Sequence, residues 1–127
     1  MKEKSRILHS HLKFVRKYGS PDYQILRQFS KKSEPMIVIS HCPLSFDYIT
    51  SFSDSQIITI SGHTHGGQIA PFGIVFLKPP ASGEYIKGWY HKHNHSLYVM
   101  RGIGTNGIPI RIGAKPEILV LEIGKAN

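Results

Sequence analysis

The chain has 127 residues, 40% of them hydrophobic and 10% aromatic, which suits one domain and leaves no room for two. Sixteen Lys and Arg against eight Asp and Glu give a formal charge of +8 and a pI near 9.8, a balance suited to anionic substrates or an acidic surface. Its single cysteine, Cys42, excludes an internal disulfide, and no aromatic stripe interleaves with the lysines to support sequence-directed nucleic-acid binding.

In chain order, residues 1–20 form a basic segment in which Lys2, Lys4, Arg6, Lys13, Arg16 and Lys17 face only Glu3. Its apolar spacing is too irregular for an amphipathic membrane or nucleic-acid helix, so a solvated helix or arm is the preferred reading. Residues 22–30 read as a short helix, with Ser20 or Asp22 available as its cap. The apolar run 36–40 reads as a strand stopped by His41-Cys42-Pro43, since Pro43 has no N–H to donate. Residues 44–52 are expected to be helical, with Leu44, Tyr48 and Ile49 inward. The β-branched run 56–60 is a second buried strand, and it empties into Ser61-Gly62-His63-Thr64-His65-Gly66-Gly67-Gln68. Residues 69–77 are expected to be extended, broken at Pro71-Phe72-Gly73. A hairpin is expected from 84–91 and 96–100 around His93-Asn94-His95, and 117–123 reads as a closing strand. There are no repeats, low-complexity runs or linkers.

Candidate chemistry gathers on the histidines. On its own, His63-x-His65 fits a polar turn as well as it fits a metal site. His41 likewise caps a buried strand. If the two strands are neighbours, three imidazoles converge on one sheet edge, where open α/β sheets place their sites. Neutral imidazole is the commonest biological metal ligand. His91, His93 and His95 alternate too, but a hairpin tip favours solvation over ligation. Cys42 adjoins His41, yet adjacent strand residues point to opposite faces, so packing is the better reading than a Cys-His nucleophile. Arg101 and Arg111 are candidate phosphate contacts because a guanidinium fork matches phosphate oxygens. Gln68 could orient substrate. Gly102-Ile103-Gly104-Thr105 lacks the lysine and strand–helix context of a phosphate loop and reads as a turn, and Trp89 reads as packing.

The block from Gly62 to Gln68, with His41-x-Pro43 before it, resembles the C-terminal half of calcineurin-like metallophosphoesterases, in particular a bacterial YkuE- and YaeI-like subgroup. The resemblance extends to Pro71-Phe72-Gly73, Tyr85 with Gly88, Leu97-Tyr98-Val99, Arg101 to Thr105, Pro109-Ile110-Arg111 and Pro116-Glu117-Ile118, covering about 21–123. It implies an α/β chain, the C-terminal portion (21–127) of a four-layer αββα sandwich. It also implies hydrolysis of a phosphate mono- or diester at a dinuclear site, with two divalent ions (manganese, iron or zinc) activating the attacking hydroxide. His41 and His63 would ligate one ion and His65 the other. The family's Asp-x-His, Gly-Asp and Gly-Asn-His motifs do not occur here. The expectation is therefore a truncated or split chain, whose N-terminal half could come from a separate polypeptide, in a cytoplasmic or membrane-peripheral setting. The alternative is a non-catalytic remnant or interaction protein that keeps the fold signature. A cupin-like mononuclear site ranks lower, because no glutamate follows the histidine pair.

Overall fold

A computed structural model of the chain describes Tyr23, Leu26, residues 34–52 and residues 54–124. The expected basic arm 1–20 lies outside these residues, as does the 22–30 helix apart from Tyr23 and Leu26. The architecture is α/β, built on a four-stranded mixed sheet of β1 (Met36–Ile39), β2 (Ile57–Ser61), β3 (Gly88–Lys92) and β4 (His95–Val99) in the order β1-β2-β4-β3. β1, β2 and β4 are parallel, and β3 turns back antiparallel on β4. The most β-branched run in the chain takes the interior position as β2, where such side chains pack well between two neighbours. Parallel strands need a crossover. Between β1 and β2 it is α1 (Ser45–Ile49), extended by a 3-10 turn over Thr50–Phe52 in which the Thr50 hydroxyl donates to Phe46 O at 2.9 Å. Between β2 and β4 it is the long segment that carries the histidine turn and β3.

The register separates the two faces of the sheet. Ile57, Thr59 and Ser61 of β2 align with Leu97 and Val99 of β4, and this face is covered by Phe46 of α1 with Tyr85 and Tyr90 packed alongside. Phe46, Leu97 and Val99 are fully buried, and truncating Phe46 to alanine would cost about 3–5 kcal/mol. Leu44 and Ile49 point inward as expected, while Tyr48 is half-buried and stacks on Tyr23 at 5.6 Å between ring centroids. The opposite face presents Ile37, Ile39, Ile58, Ile60, Tyr98 and Trp89. It has no comparable cover among the described residues, leaving Ile39 83% and Trp89 51% exposed.

Two expectations need correction. The hairpin turn is His93-Asn94 alone; His95 belongs to β4 and is buried, because the alternation of β4 directs it to the covered face with Leu97 and Val99. Residues 117–123 form no strand, and Ile118, Val120 and Ile123 are exposed. A period-2 pattern fixes which face a residue takes but not a pairing edge, and among the described residues no edge adjoins this segment.

Thr59 is fully buried on β2, and its hydroxyl has no hydrogen-bond partner among the described residues. An unsatisfied buried hydroxyl is less favourable than a methyl group of the same shape. Thr59→Val should therefore raise the urea midpoint, by about 1 kcal/mol of stability.

Candidate metal centre

β1 and β2 run parallel with Ile39 opposite Ile60, so both strands end at one edge. The pairing continues past the strands: Ser40 N donates to Ile60 O at 3.0 Å and Gly62 N to His41 O at 3.2 Å. This fixes His41 beside the turn that follows β2. β4 reaches the same edge with Val99 opposite Ser61, and Met100 N donates to Ser61 O at 2.7 Å, which brings in Arg101. The site thus forms at the carboxyl ends of three neighbouring parallel strands.

After Ser61 the backbone leaves its common conformations. His63, His65 and Gln68 have φ of 69°, 52° and 46°. Left-handed backbone at a non-glycine residue costs about 1–3 kcal/mol and persists only where the surroundings enforce it. Buried Thr64 is one such restraint: its Oγ1 donates to Ile86 O at 2.6 Å and accepts from Gly66 N at 3.3 Å. Gly66, at φ 65°, lets the turn lie against Arg101, since a Cβ there would stand 2.5 Å from Arg101 Cγ.

His63 Nδ1 lies 3.2 Å from His41 Nε2, with the rings edge-to-face at 5.0 Å. His63 Nε2 is 2.7 Å from Pro80 O, which can only accept. Nε2 therefore carries the proton and Nδ1 presents its lone pair toward His41. Two imidazole nitrogens bound to one ion at about 2.1 Å, at angles between octahedral and tetrahedral, lie roughly 3.0–3.4 Å apart. The observed separation falls in that range. His65 Nδ1 sits 3.0 Å from Gly104 O, which by the same logic leaves its Nε2 as the free donor atom. A backbone carbonyl behind His63 and another behind His65 is the arrangement that orients metal-ligating histidines. Burial lowers the pKa of His41, and the neighbouring His63 and His65 lower it further, favouring the neutral form that ligates. His65 does not join the pair: among the described residues no three His, Cys, Asp or Glu side chains gather around a common point. The donor set fits a divalent ion as a two-imidazole half-site without carboxylates.

The other candidates hold the site together. Gln68 Nε2 donates to Asn106 O at 3.0 Å and Ile108 O at 2.9 Å, while its Oε1 accepts from Asn106 N at 2.7 Å. Arg111 donates from Nε to Ala114 O at 2.7 Å, from Nη2 to His65 O and Arg101 O, and from Nη1 to Gly104 O. Arg101 pairs with Glu117, which also accepts from the Tyr98 hydroxyl. These side chains position the 102–114 loop against the histidine turn. Cys42 is buried and its thiol pKa is pushed up by burial, in keeping with a packing role. Two contributors were not visible in the sequence, Thr64 and the Pro80 carbonyl. Pro79-Pro80 does signal an extended segment with unpaired carbonyls, but nothing local places it against His63. Between these loops lies an open cleft of about 600 Å³, lined by His63, His65, Gln68, Phe76, Lys78 and Pro80 among others.

The chain is 36% identical over 113 residues to the uncharacterized metallophosphoesterase YkuE of Bacillus subtilis, an alignment covering 86% of this chain and 38% of that protein. It is 33% identical over 109 residues to an uncharacterized metallophosphoesterase of Helicobacter pylori, with 85% and 28% covered. A transmembrane protein with metallophosphoesterase domain from Danio rerio is 33% identical over 94 residues, with 72% and 21% covered. The chain thus spans less than two-fifths of the length of these curated relatives. No family model matches it, and no solved structure does.

The Arg101–Glu117–Tyr98 cluster carries a pH signature. Burial alone would raise the Glu117 pKa, but the hydrogen bonds from Tyr98 and Arg101 and the Arg101 charge outweigh it and hold the value below normal. A depressed carboxylate stabilises the fold above the unfolded pKa of about 4.3, and that contribution fades as pH falls through the folded value. Urea titrations should show wild type losing stability steeply below about pH 4. Glu117→Gln should be less stable than wild type at pH 7 and show a flatter acid limb.

Proposed function

We propose, on the premise that this chain belongs to the metallophosphoesterase family as a partial-length sequence, that it supplies one half of a divalent-metal site for hydrolysis of a phosphate mono- or diester. His41 and His63 are the ligands of one ion and His65 a ligand of the second. The observation that carries the reading is the 3.2 Å approach of His63 Nδ1 to His41 Nε2, with His63 Nε2 anchored on Pro80 O. Manganese, iron and zinc all suit imidazole combined with carboxylate ligands. When bound, such ions supply Lewis-acid polarisation of the phosphoryl group and activation of the attacking water. The chain's own part is to favour neutral His41, to orient both imidazoles, and to form the cleft that admits the ester.

The carboxylate ligands come from outside the described residues, in this reading from a partner polypeptide that also packs on this chain. Among the described residues the sheet face of Ile39 and Trp89 is uncovered and β1 is an edge strand, which supports such a partner. The second reading, a non-catalytic remnant, draws on the lack of a third ligand among the described residues.

Calorimetric titration of the chain with zinc should show binding that weakens at least about tenfold in His63→Ala. Equal affinity in the variant removes the half-site. A fusion to the N-terminal portion of the Bacillus relative should hydrolyse a chromogenic phosphodiester with manganese. His65→Asn in that fusion should abolish turnover while leaving stability within about 0.5 kcal/mol, because asparagine tolerates left-handed backbone. A folded fusion that binds metal but turns over nothing would favour the remnant.

A further inference from the structure

His65 lies four residues past the end of β2, farther along the chain from a strand than His41 or His63, and its backbone is left-handed at φ 52°. The free nitrogen of its ring is selected by one acceptor, Gly104 O, 3.0 Å from Nδ1. Gly104 is exposed, and among the described residues its carbonyl accepts no backbone hydrogen bond. What holds that carbonyl is Arg111. Its Nη1 donates to Gly104 O, while its Nη2 donates to His65 O at 3.1 Å and to Arg101 O at 3.0 Å. One guanidinium thus grips both the backbone carbonyl of His65 and the acceptor of its ring.

A guanidinium is planar and rigid, so the carbonyls it binds keep a fixed separation, and Nε, donating to Ala114 O at 2.7 Å, fixes the plane itself. Docking of the loop does not depend on this side chain. Ile112 N donates to Gln68 O at 2.9 Å and Ala70 N to Ile112 O at 2.7 Å, so the backbone beside Arg111 is already tied to the turn. What the fork adds is the orientation of His65. We propose that Arg111 is a positioning residue for His65. By holding Gly104 O against Nδ1 it keeps the proton on that nitrogen and leaves Nε2 as the atom available to the second ion. The ion rests on the half-site reading above; the choice of tautomer does not. Lysine cannot replace Arg111, because an ammonium on a flexible stem is a point donor without the fork that binds two carbonyls in fixed geometry.

Long-range proton–nitrogen correlation spectra of the isotope-labelled chain test it, recorded without metal at about pH 8.5, where free imidazole is neutral. They read which ring nitrogen carries the proton. Wild-type His65 should be protonated on Nδ1. In Arg111→Met and in Arg111→Lys its two nitrogen shifts should move toward each other, as expected of exchanging tautomers, while the His63 pattern stays as in wild type. Amide shifts of β2 and β4 should be unchanged, since the pairing of these strands does not involve Arg111. A wild-type His65 protonated on Nε2 would overturn the proposal. So would a wild-type His65 pattern retained in both variants, or an equal change at His63, which would mean a general loosening of the turn. Because no metal is present, a chain that binds no zinc removes the half-site reading and leaves the tautomer result intact, so the two can fail separately.

Discussion

The pairing of β1 with β2 is the constraint on which the rest depends. Each strand is an ordinary apolar run, and neither alone places a functional group. Once they are parallel with Ile39 opposite Ile60, the residues just past both ends meet at one edge, and the Gly62 N to His41 O bond holds them there. A slip of one residue would turn every side chain of β1 to the other face and carry His41 away from His63. The helical crossover, the order of the strands and the position of Arg101 at the end of β4 all follow from keeping that register.

The second constraint is local. A turn with three non-glycine residues in left-handed conformation would relax if left to itself, and the restraints on it are distributed. Thr64 ties it to Ile86 from beneath, Arg111 ties the His65 carbonyl to the neighbouring loop, and Gln68 clamps that loop at Asn106 and Ile108. The hydrogen bonds of these polar side chains over-determine a strained backbone. Gly113 makes the closest of these contacts: a Cβ on it would lie 1.9 Å from Ala70 O.

How far the sequence could be read depended on whether its signal was periodic or relational. The strands at 36–39 and 57–61, the helix at 45–49 and the break at 71–73 were legible because hydrophobic runs and proline chemistry are local. The meeting of His41 and His63 was legible only conditionally, since it required the two strands to be neighbours. Residues 117–123 show the limit, because their alternation is strand-like while the pairing edge it needs is absent among the described residues. His95 shows another: beside Asn94 it resembles a tip, but its register against Lys92 places it in β4. The parts taken by Gln68, by Arg111 at His65 O and by the Pro80 carbonyl depend on contacts 17 to 46 residues apart in sequence, which no local pattern encodes.

The Pro80 contact has a consequence for how such a site can diversify. The proton on His63 is fixed by a carbonyl at the end of the same loop that carries Phe76 and Leu77 on the cleft lip. Lip and ligand are therefore mechanically one part. An insertion that reshapes the lip for a different molecule also moves the carbonyl that selects the imidazole tautomer. Cleft shape and the orientation of His63 are coupled traits here, and variants that change one without the other must keep the path from Leu77 to Pro80 at fixed length.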